Sequence, residues 1–98
     1  MLVNIIRSYR EIVAICDSEL LGKYFEEGLF QLDIKESFYK GEQKTEQEVI
    51  QIIEDMKSDD ATFSIVGEIS VRTAIKAGLI SEDSVRTIQG IPFVLVLM

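Results

Sequence analysis

The residue best suited to nucleophilic chemistry in this sequence is Cys16, its one cysteine. Lys23 follows after a predicted turn, and its positive charge could lower the pKa of the Cys16 thiol and so favour the reactive thiolate. The adjacent Asp17 would have the opposite effect. Free cysteines are commonly buried as small apolar side chains. The sequence therefore favours a structural Cys16 and leaves a nucleophile as the alternative.

Four carboxylates near this cysteine could supply oxygen ligands to magnesium or calcium: Asp17, Glu19, Glu26 and Glu27. Their spacing matches no calcium-binding loop, because the alternating ligands and the turn glycine are missing. Carboxylates in turns usually cap backbone amides or remain solvated. We therefore predict no metal site and no cofactor.

Other common chemistries are excluded by residues that the sequence lacks. It contains no histidine, which removes serine–histidine and cysteine–histidine pairs and the usual zinc, copper and haem ligand sets. It has no Walker-type phosphate loop and no GxGxxG motif after a strand. Gly67 stands where a helix begins and could expose amides to an anion, but the carboxylate of Glu68 would repel a phosphate. These absences favour binding over catalysis.

A short aromatic and basic segment, Phe38-Tyr39-Lys40-Gly41, combines apolar surface with positive charge. On a loop it could anchor a partner protein or stack on a base. In the alternative, Phe38 fills the edge of the core while Tyr39 and Lys40 lie on the surface. We predict a partner-binding set that joins this segment to the polar residues after Cys16: Asp17, Glu19, Lys23, Phe38, Tyr39 and Lys40.

The formal net charge of −7 is concentrated in one part of the chain. Between Glu42 and Asp60 there are seven carboxylates and two lysines, a net −5. Direct binding to a nucleic-acid backbone needs a dense basic field, which is absent. RNA is therefore expected only as part of an assembly with protein. A protein is the expected partner, and an acidic helix could dock on a basic one.

The elements that would position these residues begin with strands. Two apolar, β-branched stretches, residues 2–9 and 11–16, predict a hairpin. Residues 12–15 are apolar without alternation, which is typical of a strand covered on both faces in the middle of a sheet. Alternation over residues 29–35 predicts a strand with one solvated face, in which Phe30, Leu32 and Ile34 point one way. A turn at residues 26–28 precedes it, and residues 37–41 follow as a loop.

Two helices follow. Thr45 and Glu48 form a predicted capping box at the start of the first. Its apolar stripe is Val49, Ile50, Ile52, Ile53 and Met56. The second begins after Gly67, carries Glu68, Arg72 and Lys76 at steps of four, and ends in a Schellman motif at Gly78.

Three more strands are expected, over residues 62–66, 85–89 and 92–97, the last two joined by a turn at residues 90–92. Residues 62–89 predict a right-handed parallel crossover if their strands share a sheet. The fold class is therefore α/β (α+β): one compact domain over residues 1–98, with a mixed sheet of about five to six strands and two main helices. Pro92 and the apolar run after it could form an edge strand through which the chain forms an oligomer, or equally a covered interior strand. No window is long enough to span a membrane. With one cysteine, a cytoplasmic location is expected.

Four short stretches resemble a family of small archaeal proteins, the domain of unknown function number four hundred and twenty-four. They are Cys16 to Lys23, Ser37 to Glu42, Val66-Gly67 and Ala77 to Leu79, with Gly90-Ile91-Pro92 in addition. The likeness spans nearly the whole chain. It implies an archaeal cytoplasmic protein of one compact domain, and it implies no activity, cofactor or binding residue.

Taken together, the residues predict a non-enzymatic module that binds a protein or a protein–RNA assembly through residues 16–42. The alternative is a small enzyme or small-molecule binder that uses Cys16 or the nearby carboxylates.

Overall fold

The structure, a computed structural model, describes residues 1–97. Its strands in chain order are β1 (Leu2–Ile6), β2 (Ile12–Cys16), β3 (Tyr24–Glu27), β4 (Phe30–Asp33), β5 (Glu42–Gln43), β6 (Thr62–Val66), β7 (Arg86–Ile88) and β8 (Ile91–Val96). Its helices are α1 (Glu36–Tyr39), α2 (Glu46–Met56) and α3 (Glu68–Lys76). A short 3-10 turn at Ser18–Leu20 follows β2.

A mixed six-stranded sheet runs through the centre of the molecule, in the order β5-β1-β2-β6-β8-β7. β2 and β6 are parallel, and the other neighbours are antiparallel. β3 and β4 form a second, two-stranded sheet. The predicted class, a mixed sheet of five to six strands with two main helices, is confirmed.

β2 is the strand that the sequence placed inside the sheet, and that prediction is confirmed. It lies between β1 and β6, and Val13, Ala14, Ile15 and Cys16 are completely buried. Because successive side chains point to opposite faces, Val13 and Ile15 enter one core while Ala14 and Cys16 enter another. The sheet therefore separates two hydrophobic cores.

The strands of residues 62–66 and 85–89 share a sheet, which was the condition for the predicted parallel crossover, but they are not neighbours. β8 lies between β6 and β7 and is antiparallel to both, so the two run in the same direction. The turn between β7 and β8 is at Gln89-Gly90, not at residues 90–92. Both of its residues have positive φ, 51° and 77°, as a tight hairpin turn with a right-handed twist requires.

Two other predictions are corrected. The predicted turn at residues 26–28 begins later, because β3 runs to Glu27 and a two-residue turn, Gly28-Leu29, joins it to β4. The sequence did not reveal β3, because only Phe25 of this strand is partly buried and its residues show no alternation of apolar and polar side chains. The predicted loop at residues 37–41 is mostly the helix α1, a single turn too short to show a helical period.

One face of the sheet is covered by α2 and α3. The sequence predicted both helices, α2 from the capping box at its start and α3 from the Schellman motif at its end. Thr45 and Glu48 form the predicted capping box: the amide nitrogen of Thr45 lies 2.9 Å from the Glu48 carboxylate, and that of Glu48 lies 3.2 Å from the Thr45 hydroxyl oxygen. α3 ends as predicted: the Leu79 amide donates to the Ala74 carbonyl at 3.1 Å, and Gly78 has a φ of 78°. The two helices are joined by an ion pair between Lys76 and Glu46 at 2.6 Å.

The other face is covered by a second layer, residues 17–41, which we call the covering layer. It consists of the 3-10 turn, the β3–β4 hairpin and α1. Its buried side chains pack against Ala14, Cys16, Val66 and Ile88 of the sheet, and they are Leu20, Leu32, Ile34 and Tyr39. The region predicted to carry function is therefore one continuous layer.

Candidate functional site

Asp17 lies where the covering layer leaves β2, and its side chain is 5% exposed. One carboxylate oxygen accepts hydrogen bonds from the Ser70 amide at 2.8 Å and the Ser70 hydroxyl at 2.7 Å. The other oxygen accepts from the Ile69 amide at 3.1 Å. Ile69 and Ser70 belong to the first turn of α3, whose amides have no partner within the helix. Asp17 therefore caps α3 from a neighbouring strand.

Gly67 explains why a distant residue performs this role. It is the N-cap residue of α3 and has no side chain with which to cap. A Cβ placed there would lie 2.3 Å from Cγ of Asp17, and the φ of 110° is one that other residues rarely adopt. The glycine is required so that the carboxylate can reach the helix. The start of α3, which the sequence suggested as an anion site, is thus occupied by the chain's own carboxylate.

Cys16 is completely buried in the core between the sheet and the covering layer. Burial, together with the charge of Asp17, raises the pKa of its thiol to about 11. A buried, protonated thiol is a poor nucleophile. The structure therefore favours the structural interpretation of Cys16.

We predict that native protein at pH 7 does not react with a thiol reagent such as DTNB, and that one equivalent reacts after denaturation. At a pH between the ordinary thiol pKa of 9.0 and about 11, the Cys16 thiol is ionised in the unfolded chain but still protonated in the native protein. Stability should therefore fall as the pH rises through that window. Cys16→Ala is the control, because it removes this part of the pH dependence. Rapid labelling of the folded protein would contradict the prediction.

Tyr39 is 6% exposed and belongs to the core, contrary to the interpretation in which it lies on the surface. Its hydroxyl shares a hydrogen bond of 2.7 Å with the Ser64 hydroxyl on β6. Asn4 on β1 donates its side-chain amide to the Phe38 carbonyl at 2.8 Å. Phe38 is partly buried and its ring meets that of Tyr39 edge-on, with centroids 5.0 Å apart. α1 is thus fixed to the sheet, with Phe38 at its margin.

The remaining predicted contacts, Glu19, Lys23 and Lys40, are exposed. The structure brings the two parts of the predicted set into one layer through backbone bonds: the Ile34 amide donates to the Lys23 carbonyl at 2.9 Å. Within residues 1–97 neither lysine forms an ion pair. Four of the six predicted residues are therefore accessible at least in part, while Asp17 and Tyr39 hold the layer in place.

The sequence missed two residues at the tip of the β3–β4 hairpin. Leu29 is 98% exposed and Phe30 is 72% exposed. Alternation predicted that Phe30 points inward with Leu32, but Phe30 is mostly exposed while Leu32 is buried. Phe30 instead forms one side of an open, mainly apolar groove of about 530 Å³, whose other walls are residues 86–88 and Phe93.

This hairpin is held against the turn between β7 and β8. The Gln89 amide donates to the Glu27 carboxylate at 2.7 Å, and the Gln89 side chain donates to the Glu26 carbonyl at 2.6 Å. Exposed apolar side chains are therefore presented on a fixed support. The signal available in the sequence was an apolar Leu29 directly after the turn glycine, a position usually polar.

Two further observations concern ligands and membranes. Among the described residues, no three cysteine or carboxylate side chains are grouped so that they could hold a metal ion. No helix within residues 1–97 has both the length and the apolar character that crossing a bilayer requires.

These features define a class: a mixed α/β domain with helices on one face of its sheet and, on the other, a hydrogen-bonded layer with exposed apolar residues. The chain belongs to the family described as protein of unknown function, DUF424, whose model matches residues 6–98. The resemblance inferred from the sequence is thereby confirmed. A comparison with curated proteins found no match.

A solved structure supports the fold. The crystal structure of an uncharacterized conserved protein from Methanopyrus kandleri is similar to this chain, with a TM-score of 0.84 and 27% sequence identity. The alignment covers 97% of this chain and 88% of that one. An archaeal protein therefore shares this arrangement of sheet, helices and covering layer.

Proposed function

We propose that this domain is a non-enzymatic, cytoplasmic module that binds a protein through the outer surface of the covering layer. The observation that carries the proposal is the hairpin tip, where two consecutive apolar residues, Leu29 and Phe30, are both exposed on a hairpin hydrogen-bonded to the β7–β8 turn. Apolar and aromatic side chains held in place are the residues that most often dominate the energy of protein interfaces. Rigidity lowers the entropy lost on binding.

The polar contacts of the proposed surface are Glu19, Lys23 and Lys40, with Phe38 at the margin. The two lysines are cations without an ion-pair partner in residues 1–97, on a chain whose net charge is −7. They would meet carboxylates of the partner at the rim of an apolar contact. Asp17 and Tyr39 serve the proposed surface indirectly, because they fix the layer that carries it.

The same charges bear on RNA. Two lysines on an acidic domain do not provide the dense basic field that binding to a phosphate backbone requires. RNA therefore enters this proposal only through a protein–RNA assembly in which the protein component makes the contact. The enzyme alternative gains no support, since Cys16 is buried and both oxygens of Asp17 are already hydrogen-bonded.

The proposal is tested by affinity purification of the tagged protein from an archaeal extract, with and without ribonuclease. We expect a protein to bind in both arms, and we expect Phe30→Ser or Lys23→Glu to reduce its recovery by about tenfold. Tyr9→Ser is the matched control, because Tyr9 is a fully exposed aromatic residue on the loop between β1 and β2.

Thermal unfolding of each variant shows whether the fold is retained. Loss of binding on ribonuclease treatment would show that RNA bridges the contact. Equal recovery with Phe30→Ser and Tyr9→Ser would exclude the hairpin tip from the docking surface.

A further inference from the structure

We infer that the outer edge of β8 is a self-association surface, on which a second copy of this chain pairs its own β8 in the antiparallel direction. β7, the neighbour on that side, is only three residues long. Its register with β8 ends where Arg86 lies opposite Phe93. From Val94 onward, no other strand within residues 1–97 lies beside this edge. This inference is independent of docking through the covering layer.

The backbone of this edge is oriented for pairing. Thr87 lies opposite Pro92, which has no N–H, so the hydrogen-bonded pair is the next one, Arg86 with Phe93. In an antiparallel ladder the bonding direction alternates along each strand. Leu95 therefore directs its N–H and C=O away from β6, into the space that β7 does not reach. Unpaired edges of this kind are templates for another strand.

The side chains and the adjacent groove are equally suited to a strand. Leu95 is 59% exposed and Leu97 is 73% exposed, so neither side chain is covered by the rest of the chain. A groove of about 620 Å³ lies between residues 94–97 and the segment after α3. Its other lining residues are Gly78, Leu79, Ile80, Ser81 and Ser84. None of the residues that line it carries a charge.

A second copy is the occupant that matches this edge, because an antiparallel edge is complementary to itself about a two-fold axis and the charge distribution leaves this edge free of repulsion. The chain has a net charge of −7, so two copies repel each other through most of their surfaces. Residues 91–98 contain no charged residue, and no lysine or inward charge protects the edge. Two copies can therefore meet here without bringing like-charged side chains together. A basic partner is not favoured here, because no carboxylate lines this groove.

Antiparallel pairing of one strand with its own copy produces a two-fold interface, in which each contact occurs twice. With the axis near Val96, Leu95 of one copy lies opposite Leu97 of the other. Cross-strand pairs of apolar side chains stabilise such a ladder. The β7 end at Arg86 then limits the ladder to a few residues. The result is one continuous sheet that crosses both copies.

The test is sedimentation velocity of the full chain from about 1 to about 500 µM. We expect a shift from 11.1 kDa towards twice that mass as the concentration rises. Leu95→Lys should weaken association by about tenfold or more, because each copy would place a charge at the interface. Leu97→Pro should do the same, because it removes an edge donor. A monomer over the whole range would overturn the inference.

The control is Leu29→Lys, which places the same charge on a fully exposed leucine of the covering layer. We expect it to leave the dimer unchanged. If Leu29→Lys abolishes association and Leu95→Lys does not, the copies associate through the covering layer and the inference is wrong. Capture of the partner protein should be retained by Leu95→Lys, so failure of one proposal is distinguishable from failure of the other. Circular dichroism confirms that both variants fold.

Discussion

Asp17→Ala is expected to lower the free energy of unfolding by about 3 kcal/mol. The substitution removes an acceptor of three hydrogen bonds and leaves the amides of Ile69 and Ser70 without a partner at the start of α3. Ser70 is fully buried, so water does not replace the carboxylate there. Urea denaturation at pH 7 measures the loss.

Two variants make this prediction specific. Asp17→Asn keeps the shape and one carbonyl oxygen, so we expect a smaller loss of about 1–2 kcal/mol. Glu19→Ala changes an exposed carboxylate two residues away and should alter stability by less than about 0.5 kcal/mol. If Asp17→Ala also falls within that limit, the carboxylate does not cap α3 in solution.

Gly67→Ala is expected to cost about 3–5 kcal/mol, through two effects at one atom. The new Cβ would lie 2.3 Å from Cγ of Asp17 and would displace the carboxylate from the helix. The φ of 110° adds backbone strain. Gly78→Ala separates the two effects, because Gly78 also has a positive φ, 78°, but its Cβ would meet no atom within 4 Å. We expect it to cost only about 1 kcal/mol.

A double-mutant cycle tests the steric part directly. In Asp17→Ala the side chain that excludes the Cβ is gone, so Gly67→Ala should then cost about 1–3 kcal/mol less than in the wild-type chain. Strict additivity would show that Asp17 is not what requires the glycine. Urea denaturation of the four proteins provides the comparison.

The features that the sequence predicted well are those with local causes. The capping box of Thr45 and Glu48 and the stop at Gly78 each lie within six residues, and both were located correctly. The apolar run of β2 predicted an interior strand because burial on both faces needs no knowledge of the neighbours. The likeness to the DUF424 family came from short stretches of sequence and is confirmed.

What the sequence could not provide is contact between distant residues. The acceptor for Ser70 lies 53 residues earlier, so nothing near Asp17 indicated that its carboxylate would be buried. Tyr39 became a core residue because α1 is a helical turn fixed to β6 through Ser64. Phe30 and Leu32 are two residues apart on β4, yet only Leu32 is buried in the core. The alternation of apolar and polar residues predicts which face of a strand a side chain points to, but not whether another element covers that side chain.

The remote cap has a consequence for how the chain folds. α2 has its cap in its own sequence, so its first turn can form as soon as residues 45–48 come together. The first turn of α3 has its acceptor on Asp17, and it is complete only once β2 and β6 are paired. Its nucleation therefore waits for a non-local contact, which is entropically costly and slow. We therefore expect two helices that share one core to form at different stages, and α3 to open together with the parallel strand pair rather than by fraying alone.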